Sequence, residues 1–155
     1  MIPKQLATWF LLIVVPGFVL FAQLASASVP GDPVGRWLTA TNGGVVEIDH
    51  CGNTALCGRI VGITVDRPTG PLPTDVHGRP QCGLTIITGA VPSGPSEWTG
   101  RIVNPKDGKV YSAQLSLDAY GHLQLRSYLG LPVFGRTVVW LPFDGRIADQ
   151  CRVIG

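Results

Sequence analysis

Charge is scarce in this chain. Of 155 residues, 12 are Lys or Arg and 10 are Asp or Glu, a formal net charge of +2. So even a balance leaves no electrostatic footprint for nucleic acid or for an anionic membrane surface. With 45% hydrophobic residues against 14% charged, the composition is not that of a disordered chain either. Helical periodicity is missing as well: no ten-residue window carries a convincing apolar stripe at the 3.6-residue period. The chain also lacks a Gly-x-Ser-x-Gly elbow, a Gly-rich phosphate loop and a His-Glu-x-x-His pair. Those absences remove the commonest local signatures of esterases, nucleotide enzymes and zinc proteases.

What the chain does have begins at its N-terminus. Lys4 is the sole charge before Asp32, and the span 9–22 is almost continuously apolar. "ASAS" follows, with Ala25 and Ala27 in the small-x-small spacing of a signal-peptidase site. The apolar run is broken by Pro16-Gly17 and is shorter than the roughly 20 residues of a spanning helix. The expectation is a signal peptide over 1–27 and a mature domain over 28–155, periplasmic or secreted, with no membrane span after cleavage. The mature domain has 155 − 27 = 128 residues, enough for one hydrophobic core. Its four cysteines, Cys51, Cys57, Cys82 and Cys151, make an even count, which in an exported domain reads as two disulfides. Three connectivities are open; proximity favours Cys51 with Cys57, which leaves Cys82 with Cys151.

Short apolar or alternating runs punctuated by Gly, Pro, Asn and Asp predict strands near 34–40, 44–50, 57–65, 83–88, 97–104, 109–117, 122–129 and 134–141. Alternation is cleanest in "VYSAQLSL" at 110–117, where Tyr111, Ala113, Leu115 and Leu117 share one face. "NPKDGK" at 104–109 and "LDAYGHL" at 117–123 read as reversals, turning at Asp107-Gly108 and at Gly121. Consecutive hairpins of this kind predict an antiparallel meander, which at this length forms either a sandwich or a closed barrel, and closure also removes the unpaired edges. The span 66–82 is a proline-rich loop, held at its end by Cys82.

"HCGNTALCG" at 50–58 has the look of a metal or redox centre. Structural zinc sites favour two to four residues between cysteines, and five intervene here. Dithiol oxidoreductases present Cys-x-x-Cys at a helix start, and this pair flanks a hairpin turn. A stapled turn is therefore the expectation, with no metal and no cofactor. A haem-binding barrel needs one well-placed histidine, and His50 is the sole candidate on a predicted strand. Glu47 and Asp49 face the same way on one strand and read as its solvated acidic face. No catalytic residue is assigned, and the chain is not expected to be an enzyme.

"VGRWLT" at 34–39 places Gly35-x-Trp37 on the first strand, a pattern resembling the opening of lipocalins, where the tryptophan closes one end of the barrel. "GRWLT", "VVEI", "CGNTALCGRIVGI", "CGL", "WTGRIVNPKDGKVY" and "PVFGRT" then follow in order. On these motifs the chain resembles the exported bacterial family called domain of unknown function 2147 over nearly all of its mature length. The resemblance implies a lipocalin-like, eight-stranded barrel after a signal peptide, and leaves the biochemical role open. Two features depart from the family: the 66–82 loop is shorter, and Pro142 stands where an arginine follows the tryptophan matched by Trp140. The expected fold is thus all-β, a single eight-stranded antiparallel up-and-down barrel.

By strand alternation Trp37, Val46, Ile60, Trp98, Ile102, Tyr111, Ala113, Leu115, Leu123, Leu125 and Trp140 point inward, Ser127 and Arg136 fall on faces that can be internal, and Arg126 faces water. Such a wall fills a core or lines a cavity. The candidate ligand-binding residues are Trp37, Trp98, Ile102, Tyr111, Leu115, Leu125, Arg136 and Trp140. Their expected ligand is a small, mostly apolar molecule. The other expectation is a filled barrel acting as a cell-envelope interaction module, with an exposed patch around Tyr120, Tyr128 and the 66–82 loop.

Overall fold

A computed structural model describes residues 31–41, 43–66 and 69–154. The expected signal peptide at 1–27 lies outside the described residues. Eight strands form the barrel: β1 (Gly35–Leu38), β2 (Gly44–His50), β3 (Leu56–Ile63), β4 (Thr85–Gly94), β5 (Glu97–Val103), β6 (Val110–Leu117), β7 (Leu123–Tyr128) and β8 (Arg136–Pro142). Each pairs antiparallel with its sequence neighbours, and β8 returns to β1 through Leu38 opposite Leu141, so the sheet closes in up-and-down order. This is the lipocalin-like architecture the alternation and the motif order predict. β5 and β6 run in unbroken register from Glu97 opposite Ser116 to Val103 opposite Val110, where the period-2 pattern is cleanest.

Two elements differ from the sequence-based expectation. β4 extends to Gly94 rather than ending near 88, because two register shifts against β5 let it carry Gly89, Pro92 and Gly94. A C-terminal hairpin, β9 (Arg146–Ala148) and β10 (Arg152–Ile154), adds to the sheet beside Ile63 of β3. Its Val153 packs over Gly62, to which Val45 is also adjacent, and Val45 is completely buried although it lies outside the main core cluster.

Short turns at 51–55, 95–96 and 118–122 gather at one end of the barrel, while the loops 39–43, 64–84, 104–109 and 129–135 gather at the other. The short-turn end is solid. Ile48, Leu56, Ala90, Leu115 and Leu123 are fully buried there. Each large aliphatic side chain so buried contributes about 1.5–3 kcal/mol. Gly100 permits this filling: a Cβ there would lie 2.7 Å from the Ala90 Cα and 2.9 Å from the Thr88 carbonyl oxygen. β4 therefore folds tightly onto β5, and only glycine fits the approach. Segment 31–34 covers the same end, with Pro33 fully buried and its carbonyl accepting a 2.9 Å bond from the Trp37 indole N–H. Pro142, the departure from the family pattern, lies directly across from Trp37.

The Cys51–Cys57 disulfide staples the first short turn, and Cys82–Cys151 ties the long loop to the C-terminal tail. On a chain-entropy account the tiny first loop gives about 2 kcal/mol and the second, spanning 69 residues, about 4 kcal/mol. Turn 118–122 is capped by Asp118, whose carboxylate accepts the Tyr120 and His122 N–H groups at 2.9 Å each and the Gln124 amide at 3.0 Å. The His122 N–H bond, ahead of the others, holds the Asp118 carboxyl below its ordinary pKa against the opposing effect of burial. On the outer face Arg36, Glu47 and Arg59 stand side by side on β1, β2 and β3. Glu47 pairs with Arg36 at 3.0 Å and Arg59 at 3.5 Å, exposed contacts worth well under about 1 kcal/mol each.

Candidate functional site

The long-loop end is hollow. A cavity of about 730 Å³ opens there, lined by Ile86 of β4, Ile102 and Val103 of β5, Tyr111 of β6, Ser127 and Tyr128 of β7, Arg136 and Trp140 of β8, and by Asn104, Pro105, Leu129 and Phe134. Its size falls within the roughly 300–1,000 Å³ common for small-molecule sites. The wall follows from strand alternation. On β8, Arg136, Val138 and Trp140 share a face; Trp140 is buried in the core, Val138 packs against it, and Arg136 stands at the exposed rim. On β7, Leu123, Leu125 and Ser127 share the facing row, and Ser127 lies directly opposite Arg136. The cavity begins where this row changes from leucine to serine.

A second cleft of about 420 Å³ adjoins it, sharing Ile86, Asn104 and Pro105, and is lined further by Thr39, Thr41, Gln81 and Lys106. Among the described residues, the two clefts are lined by two cations, Arg136 and Lys106, and by no carboxylate.

Loop 129–135 forms one lip of the mouth and is held by Arg126. The Arg126 guanidinium donates to the Pro132 carbonyl at 2.9 and 2.7 Å and to Thr137 Oγ1 at 2.9 Å. It does so from the solvent side of β7, the orientation alternation predicts. The loop contains a 3-10 turn at Pro132–Phe134 and exposes Leu129, Leu131, Val133 and Phe134. The segment 69–84 borders the adjoining cleft through Pro73 and Gln81 and is arranged around Asp75. The Asp75 carboxylate is almost fully buried and accepts the His77 and Arg79 N–H groups at 2.9 and 2.8 Å, with the Arg79 guanidinium at 2.6 Å. Burial opposes its charge, but the Arg79 backbone and side-chain bonds and the His77 N–H outweigh it and hold the carboxyl below its usual range. The Val76 N–H donates to the Pro105 carbonyl at 2.9 Å, joining this loop to the 104–109 turn. Arg152 from the C-terminal strand donates to the Gly70 carbonyl.

Of the residues singled out by sequence, Ile102, Tyr111, Arg136 and Trp140 come together around the cavity. Trp37, Leu115 and Leu125 lie instead in the buried core, with Trp98 packed against it. Ile86, Val103, Asn104, Pro105, Ser127, Tyr128, Leu129 and Phe134 complete the lining and were outside the candidate set. Ser127 was signalled by alternation; the loop residues carry no periodic signal. The exposed patch also differs from expectation. Tyr120 is 85% exposed, but Tyr128 is half-buried in the cavity wall, and the larger apolar surface is on loop 129–135. His50 pairs with Asp32 at 3.2 Å, and no cluster of three metal-ligating side chains occurs among the described residues. No helix among the described residues is long and apolar enough to cross a membrane.

Comparison with known proteins fits this geometry. A family model described as "Uncharacterized protein conserved in bacteria (DUF2147)" matches residues 35–141, most of the chain. Among solved structures, the barrel is similar to protein HP1028 from the human pathogen Helicobacter pylori, which is described as belonging to the lipocalin family. The TM-score is 0.58 at 19% sequence identity, over 73% of this chain and 84% of that one. That likeness is one of fold. No curated protein matches the sequence.

Proposed function

Because the chain belongs to the bacterial family DUF2147, and its barrel is lipocalin-like, we propose that it is an exported, non-enzymatic protein that holds a small, mostly apolar molecule in its open-end cavity. The observation that carries the reading is the contrast within one barrel: leucine and isoleucine fill one end, and a cavity of about 730 Å³ walled by Ile86, Ile102, Tyr111 and Trp140 occupies the other. Export is supported by the two disulfides, which persist in oxidising compartments, and by the signal-like segment 1–27.

Native mass spectrometry of the protein purified from an exported fraction tests both parts. The expected species begins at Ser28, carries both disulfides and retains a bound small molecule. A chain that keeps residues 1–27, or that contains free thiols, contradicts export. A bare chain that also fails to bind an apolar fluorophore contradicts the binding role.

A second reading, an interaction module of the cell envelope, is favoured by one observation: the four exposed apolar side chains of loop 129–135. It expects Val133→Asp to abolish a partner contact while leaving fluorophore binding intact.

A further inference from the structure

The charge of the open end narrows what the cavity accepts. Five arginines are already engaged: Arg36 and Arg59 on Glu47, Arg79 on Asp75, Arg126 on the carbonyls and hydroxyl of its loop, and Arg152 on the Gly70 carbonyl. No ion pair among the described residues involves Arg136, which nevertheless stands on the cavity wall at its rim. Arg101 and Arg146 also lack such a pair, but neither lines this cavity. Around Arg136 the lining supplies hydroxyl donors: Ser127 directly across the β7–β8 pair, with Tyr111 and Tyr128. Lys106 adds a second cation in the adjoining cleft, and among the described residues no carboxylate lines either space. Below the rim the wall is apolar, running through Ile102 and Ile86 to Trp140.

A neutral apolar molecule makes no use of that rim. We infer that the cavity takes an amphiphile with an anionic head group, its head at Arg136 and the hydroxyls of Ser127, Tyr111 and Tyr128, its chain along Ile102, Ile86 and Trp140. The inference rests on the proposed binding role and specifies the ligand class. Charge-assisted hydrogen bonds from a planar guanidinium are stronger than neutral ones, so the head contributes affinity as well as orientation.

Competition against a neutral fluorophore tests it on the mature, disulfide-bonded protein. N-phenyl-1-naphthylamine is bound first and then displaced by dodecanoate, by 1-dodecanol, or by acetate and inorganic phosphate, all below micellar concentrations. Dodecanoate is expected to displace it at a concentration lower than dodecanol by about tenfold or more, the scale of a hydrogen bond to a charged group. Acetate and phosphate displace nothing at millimolar levels. In Arg136→Gln the preference for the acid over the alcohol collapses to within about threefold, in Arg136→Lys part of it returns, and added salt weakens it in the native protein. Equal competition by acid and alcohol, or a preference that survives Arg136→Gln, overturns the inference and leaves the binding role standing. Displacement by phosphate alone shows an anion site without a tail and overturns the amphiphile. If the naphthylamine does not bind the native protein, the binding role itself fails and the inference with it.

Discussion

The two ends of this barrel are built from the same strands by the same period-2 rule, yet one end is solid and the other hollow. At the solid end the inward rows carry Ile48, Leu56, Leu115 and Leu123, the turns are short, and segment 31–34 lies across the opening. At the hollow end the same rows run out into Tyr111, Ser127 and Arg136, and the connections are long loops held by polar contacts rather than by apolar packing. Position along a strand, more than its face, thus decides whether an inward residue fills the core or lines the cavity. Each end has its own disulfide. The short Cys51–Cys57 bridge secures a turn that is already packed, whereas Cys82–Cys151 ties a long loop to the C-terminal tail, elements held otherwise by hydrogen bonds and by the pairing of β10 with β3.

The largest expected effect falls on the hollow end. Replacing both Cys82 and Cys151 by serine removes a constraint on a long loop and lowers unfolding free energy by about 4 kcal/mol, against about 2 kcal/mol for the Cys51/Cys57 pair. Denaturant titration of the two double variants measures both. An inverted order breaks the comparison, because it places the greater dependence on the packed end. Next is Gly100→Ala, which drives a methyl into the Ala90 backbone at 2.7 Å and costs about 3 kcal/mol by overpacking. A near-neutral result means that β4 has room to move and that the solid end is less tightly specified than its burial implies.

The smallest effect sharpens the account of the loops. The folded-state pKa of Asp75 is lowered, so its contribution is fully present above the unfolded value of about 3.9 and is lost as pH falls through the lower folded value. Asp75→Asn is therefore less stable than the native chain at neutral pH, and the two converge as the pH drops below about 4. Parallel acid-denaturation curves for the two proteins contradict that role. The same substitution shortens hydrogen-exchange protection in 73–81 and leaves β5 and β6 unchanged.

Much of this arrangement was legible in the sequence, for a physical reason. Where one strand face is buried and the other wet, alternation fixes the register, and "VYSAQLSL" placed Tyr111, Ala113 and Leu115 on the inward side of β6. Asp107-Gly108 and Gly121 marked true turns, with Gly108 at φ 70° and Gly121 at φ 78°. The sequence pattern ends β4 near 88 because the register shifts of this strand admit Gly89, Pro92 and Gly94, residues that elsewhere end a strand. No sequence pattern marks the hairpin β9–β10, because three-residue strands carry no periodicity and Val153 packs over the distant Gly62. The candidate site was legible only in part. Alternation linked Arg136 to Trp140, but nothing local distinguishes Leu125 in the core from Ser127 at the cavity edge except polarity. Leu129 and Phe134 belong to a loop whose placement depends on Arg126 reaching across from β7.

The central claim is that only one end of the barrel is available to a ligand, and fluorophore binding to a filled variant tests it most directly. Ser127→Phe places a ring inside the open-end cavity, while Tyr120→Ala alters an exposed side chain at the solid end. N-phenyl-1-naphthylamine is expected to bind the native protein and the Tyr120 variant alike, with one molecule per chain, and to lose its affinity for a folded Ser127→Phe protein. Undiminished binding to Ser127→Phe, or loss of binding in Tyr120→Ala, contradicts the account.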